Sequence, residues 1–135
     1  MKISEIDRSE QKIARLAEFV KWVCAQLNCK NRPNVKYGTD LEKVKKLRTF
    51  GSTNSIGDIW VHVDNRNLAD TMRTLAHELI HFKQFEDGTA SDDMDDDQRQ
   101  SIEDEANALA GRLMRAYGKK HEDIYENKRP GRNAL

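Results

Sequence analysis

Between Leu68 and Phe85 one run of the chain has two faces of opposite character. Wound as an α-helix with His77 at zero, it places Leu68, Met72, Leu75, Leu79 and Phe82 between roughly 140° and 220°. His77 and His81, four residues apart, lie roughly 40° from each other on the opposite side. Such a segment must set its apolar back against a core and leave its front for something else. The front reads His77-Glu78-Leu79-Ile80-His81, an HExxH arrangement in which both imidazoles can reach one ion while Glu78 stands beside it. A histidine kept for packing belongs on the apolar side, so this placement favours metal ligation over a structural role.

The rest of the chain bounds the fold. At 135 residues it is expected to be one domain with a modest core. Apolar residues recur at a helical period from Ser4 to Asn28, through Ile6, Ile13, Leu16, Val20, Val23 and Leu27, which predicts one long packing helix. Asn31 to Asn34 reads as a turn and Val35 to Tyr37 as a short strand, while Asp40 to Leu47 is compatible with a helical turn or a twisted hairpin. Phe50 to Gly57 is turn-rich. Asp58 to Asp64 alternates Ile59, Val61 and Val63 with Trp60 and His62, as a half-buried strand does. The histidine helix should start after Asn65 or Asn67, Asp87 to Asp97 should be a loop, and a third helix should run from Gln98 to about Tyr117. This order predicts an α+β fold: a long N-terminal helix, a small twisted sheet or hairpin, the HExxH helix and a following helix. The expected domain spans residues 1–118, and residues 119–135 form a basic tail.

Charge and cysteine usage exclude several classes. The 23 basic and 23 acidic residues cancel, which argues against bulk attraction to nucleic acid or an anionic membrane. The polar start of the chain offers no leader or spanning segment, so a cytoplasmic location, without membrane attachment and with a monomer favoured, is expected. Cys24 and Cys29 have a spacing that suits neither a zinc knuckle nor a redox pair, and are expected to be free thiols. The acidic run of residues 92–97 has oxygen ligands for calcium but lacks the spaced glycine and terminal glutamate of an EF-hand loop, and a solvated loop is favoured.

A catalytic zinc site usually takes three protein ligands and leaves one position for water, so two histidines need a partner. His62 and His121 remain, but the denser candidates lie in Ser101 to Met114. There Ile102, Ala106, Leu109, Leu113 and Tyr117 form the expected buried stripe, Asp104 points away, and Glu103 and Glu105 flank the stripe on opposite sides. Periodicity leaves both glutamates open.

With these residues the chain resembles the gluzincin metallopeptidases, in which a glutamate on a helix after HExxH completes the site. Glu105-Ala106-Asn107-Ala108-Leu109-Ala110 resembles the Glu-Ala-Asn-x-Phe-Ala run of ImmA/IrrE-type peptidases, and that match implies Glu105 as third ligand. The stretch Arg73 to Leu79, the strand before it and the short length also resemble small phage-encoded members, over about Gly57 to Met114. Those peptidases often continue Leu-Met-Pro, whereas Met114 precedes Arg115, and no helix-turn-helix module is visible, so a role in clearing a repressor is not implied. SprT-like DNA-associated proteases resemble the chain less, because their third ligand is a histidine.

The resemblance implies a minimal zincin-like domain in which His77, His81 and Glu105 hold Zn²⁺ and Glu78 is the general base of peptide hydrolysis. The expected substrate is an extended polypeptide added along strand 59–63, and the oxyanion partner is left open among His62, Tyr117 and His121. The competing expectation is a non-catalytic zinc-binding interaction module, which would have no use for Glu78.

Overall fold

The computed structural model describes residues 3–125. Helix α1, Ile3–Leu27, buries Leu16, Phe19 and Val23 completely, at the helical spacing expected of them. Strand β1, Asn34–Gly38, follows, and then helix α2, Leu41–Leu47, occupies the stretch whose conformation the sequence left open. Asp40 decides it: its side chain accepts the Glu42 N–H at 3.0 Å and so starts the helix. Arg48, in the left-handed region at φ 56°, ends it by donating its N–H to the Val44 carbonyl at 2.7 Å.

Strands β2, Gly51–Thr53, and β3, Asp58–His62, complete a three-stranded sheet of order β1-β3-β2. β1 runs parallel to β3, with Val35 opposite Ile59, and β2 runs antiparallel to it, with Ser52 opposite Trp60. The expectation that a peptide would add along strand 59–63 is corrected here. β3 is the middle strand, hydrogen-bonded on both sides, and the edge on the histidine side belongs to β2, which hides in the turn-rich stretch. Ile59, Val61 and Val63 face the core shared with α1 and α3. Trp60 and His62 face the other way, with Lys43 Nζ of α2 4.5 Å above the Trp60 ring.

Helix α3, Leu68–Glu86, buries Met72, Leu75, Leu79 and Phe82 as its periodicity requires, and packs most extensively on helix α4, Asp96–Lys120. The acidic run does local work at the start of α4. Asp95 is its N-cap in a reciprocal capping box with Gln98, and Asp96 and Asp97 sit in the first turn, where the helix dipole favours negative charge. α4 therefore begins two residues before the expected Gln98.

The domain does not stop at residue 118. α4 continues to Lys120, a 3₁₀ turn at Glu122–Tyr125 places Ile124 in the core at 1% exposure, and Asp123 pairs with Arg15 of α1. The rest of the expected tail, with Pro130 and Gly131, lies outside the described residues. Among the described residues no helix is long and apolar enough to cross a membrane.

Candidate metal centre

Helix α3 is set in place by Asn67, whose side chain accepts the Asp70 N–H at 2.9 Å, and by the burial of its apolar back. Its front carries the histidines to the α4 side. His77 Nε2 and His81 Nε2 are 2.9 Å apart. The carboxylate of Glu103 spans them, with Oε2 3.0 Å from His77 and Oε1 2.9 Å from His81. Ligand-type atoms of the three residues lie within 4.8 Å of one another, the one such group among the described residues.

Glu103 therefore stands where the sequence reading placed Glu105. Two residues apart on a helix means roughly 160° around the axis, so both cannot face the same partner. Glu105 instead accepts a hydrogen bond from Gln84 Nε2 at 2.8 Å. The buried face of α4 is made by Ala106, Ala110, Met114 and Tyr117, and Glu103 lies on that line three residues before Ala106.

The donor set fits a divalent metal for a reason visible in its hydrogen bonds. Gln84 Nε2 donates to the Ile102 carbonyl at 3.1 Å and to Glu105, which turns the amide oxygen toward His81 Nδ1 at 2.8 Å. That oxygen can only accept, so His81 Nδ1 carries the hydrogen and Nε2 presents a lone pair. The lone pair faces a carboxylate and a second imidazole nitrogen, an arrangement that calls for a cation between them. Two nitrogens and a carboxylate oxygen suit a borderline metal such as zinc.

Glu78 lies behind this group at 6% exposure. Burial pushes its carboxyl above the ordinary range, opposed by the Thr53 hydroxyl and by the two histidines. Thr53 Oγ1 stands 2.7 Å from Glu78 Oε1 and 3.0 Å from the Glu78 carbonyl, tying β2 to α3 at this carboxylate. Gly51 makes the close approach possible. A Cβ there would stand 2.9 Å from Thr74 Cγ2 and 3.0 Å from Glu78 Cγ.

Two hollows flank the group. One, of about 340 Å³, is lined by Thr53, His81, Glu103 and Arg99 and by the apolar side chains of Phe85, Met94 and Ile102. The other, of about 370 Å³, is lined by His77 and Glu78 and by Phe50, Arg48, Arg73 and Asn107.

The three expected oxyanion partners are not gathered here. His62 is 2% exposed on the α2 side of the sheet, its Nδ1 without a hydrogen-bond partner. Tyr117 packs edge-on to Phe19 and Trp22 and stacks on His121, fourteen residues beyond Glu103 and so roughly 21 Å along α4. Sequence reading missed Thr53 and Gln84. Gln84 had a signal, since i+3 from His81 on one helix makes it a neighbour, while nothing in the sequence marks Thr53.

A family model described as the IrrE N-terminal-like domain, Peptidase_M78, matches residues 39–130, more than half of the chain and the whole of this site. No curated protein and no solved structure matches the chain.

Proposed function

Because the chain belongs to the IrrE N-terminal-like Peptidase_M78 family, we propose that it is a zinc-dependent endopeptidase whose ligands are His77, His81 and Glu103. The observation that carries this reading is the meeting of three lone-pair donors beside a buried carboxylate, Glu78, that is not one of them. A structural metal site has no need of that carboxylate. When bound, the metal supplies Lewis acidity, polarising the peptide carbonyl and making water a better nucleophile.

Glu78 does the proton work. It takes the proton of the attacking water and returns it to the leaving nitrogen, and its burial beside Thr53 keeps it ready in one orientation. The substrate lies along β2. Asn54 N–H bonds to the Asp58 carbonyl and His62 N–H to Phe50, so the even-numbered residues face β3 and the main-chain groups of Gly51 and Thr53 point outward, those of Gly51 onto the Thr49 hydroxyl that a peptide would displace. An extended peptide can pair with that edge and pass between it and Glu103. The hollows on both sides leave room for chain on either side of the cut, which supports internal cleavage. One, where Phe85, Met94 and Ile102 outweigh the single Arg99, suits an apolar side chain, and the other, with Arg48 and Arg73 together, an acidic one. The free thiols Cys24 and Cys29 support work in a reducing compartment such as the cytoplasm.

Bound zinc and casein hydrolysis measured on wild type and on Glu78→Gln test the reading. The variant should keep its zinc and lose roughly 10²- to 10⁴-fold in turnover. A zinc-loaded wild type that cleaves nothing would establish the non-catalytic binding module instead, and an active Glu78→Gln would remove Glu78 from the chemistry.

A further inference from the structure

Gln84 lies 2% exposed between α3 and α4, and both polar atoms of its side chain are hydrogen-bonded. Its amide oxygen receives His81 Nδ1–H at 2.8 Å, and its two N–H bonds go to the Ile102 carbonyl at 3.1 Å and to Glu105 Oε1 at 2.8 Å. Ile102 and Glu105 bracket Glu103 in sequence. One amide therefore touches the ring of one histidine and both sides of the helical turn that carries the carboxylate. The main-chain carbonyl of Gln84 also receives the N–H groups of Thr89 and Ala90, which closes the end of α3 and fixes the backbone from which the side chain springs.

We propose that Gln84 is a positioning residue of the metal centre: it holds His81 with Nε2 free for the metal and grips α4 so that Glu103 meets the histidine pair. Glu105 is its anchor. The amide of a glutamine can flip, and a flip would present N–H to His81 Nδ1 and force the ring into the wrong tautomer. Two acceptors, Ile102 O and Glu105 Oε1, prevent it, because both would then face the amide oxygen. In this account the glutamate that sequence resemblance selects as a ligand acts one shell further out, through Gln84. The inference rests on the assignment of His77, His81 and Glu103 as ligands, and the test separates the two.

The full-length chain is compared as wild type, Gln84→Leu, Glu105→Ala, Glu105→Gln and Glu103→Ala. Zinc affinity is read by competition with a chromophoric chelator, the ligand field by Co²⁺ absorption, and the His81 tautomer in metal-free protein by ¹⁵N NMR of the ring nitrogens. Gln84→Leu should weaken zinc binding by roughly 10- to 100-fold, shift the cobalt bands and mix the tautomers of His81. Glu105→Ala should weaken it less than Gln84→Leu, and Glu105→Gln, which keeps an acceptor oxygen, should stay near wild type. Glu103→Ala should lose the most.

A Gln84→Leu protein that melts lower yet keeps wild-type zinc affinity, cobalt spectrum and His81 tautomer would overturn the proposal, leaving Gln84 a packing residue. If Gln84→Leu does not fold, Gln84→Glu takes its place: it keeps the acceptor for His81 but sets an oxygen against both the Ile102 carbonyl and Glu105, and the further change Glu105→Gln should recover part of the zinc affinity lost. Failure of that recovery would also overturn the proposal. Loss of zinc on Glu105→Ala with retention on Glu103→Ala would refute the ligand assignment itself, and the anchor role of Glu105 with it.

Discussion

Replacing Gly51 with alanine adds one methyl group at the point where β2 meets the proposed base. The backbone there accepts alanine, since Gly51 is not among the glycines at positive φ. Its neighbours do not. The new Cβ would stand 2.9 Å from Thr74 Cγ2, 3.0 Å from Glu78 Cγ and 3.3 Å from Glu78 Oε2, where carbon atoms ordinarily rest about 3.5 to 4 Å apart. Thr74 and Glu78 lie one turn apart on α3, so a rigid shift of the helix cannot relieve one contact without moving the other. Overpacking of this kind costs roughly 1 to 3 kcal/mol. For a chain of 135 residues that corresponds to a melting temperature lowered by roughly 4 to 12 °C. If Glu78 yields, its carboxylate leaves the Thr53 hydroxyl now 2.7 Å away, and misplacement of a reacting group by about 1 Å costs on the order of 10²-fold in rate. The expected phenotype is a moderate loss of stability by calorimetry, about a hundredfold loss of peptide hydrolysis, and undiminished zinc binding, because His77, His81 and Glu103 are untouched. Gly88→Ala is the control. Gly88 has φ +78° and nothing within 4 Å of a built Cβ, so alanine there should cost roughly 1 kcal/mol of backbone strain and spare activity. A Gly51→Ala protein with wild-type stability and rate would refute the tight contact, and one that loses zinc together with activity would show that the proposed ligands, not the proposed base, had moved.

Two further expectations concern specificity and pH. Arg48→Ala combined with Arg73→Ala should lower kcat/KM roughly threefold to tenfold for peptides with Asp or Glu beside the cleaved bond and spare neutral ones, because exposed charge pairs are each worth up to about 1 kcal/mol. Profiling with matched peptides decides this, and an equal loss for all peptides would contradict the acidic subsite. Glu86 accepts the N–H groups of Lys30 at 2.7 Å and Asn31 at 2.9 Å, which holds its carboxyl below the ordinary 4.5. A depressed folded-state pKa contributes stability that is complete above the unfolded value and is lost as pH falls through the folded one. Urea melts of wild type and Glu86→Gln should therefore differ fully above the ordinary 4.5 and converge only once the pH has fallen below the depressed folded-state pKa. A gap that stays constant into acid would assign the loss to packing rather than to the charge.

How far this fold and site could be read from the chain depended on the size of the side chains that mark each face. On α3 large residues mark it. Met72, Leu75, Leu79 and Phe82 are all buried where the helical wheel places them, and the histidines face outward to Glu103. β2 carries no such mark: three residues, Gly51-Ser52-Thr53, are too few and too polar to show a period, and the strand exists because Asn54 turns the chain back, its Oδ1 accepting the Ile56 and Asp58 N–H groups. On α4 the marks mislead. Ile102, Leu109 and Leu113 suggest a stripe, yet each is only half-buried, and the positions buried in their place include the small Ala106 and Ala110. With Ala106 at zero, the expected stripe centres near −20°, and Glu103 and Glu105 lie about 80° to either side of it, a tie that periodicity could not break. The observed face of Ala106, Ala110, Met114 and Tyr117 centres near +35°. That rotation of roughly 55° brings Glu103 within about 25° of the packed line and carries Glu105 about 135° from it. Small residues on a buried face, which hydropathy barely registers, thus decide which carboxylate reaches the histidines and which is left to hold Gln84.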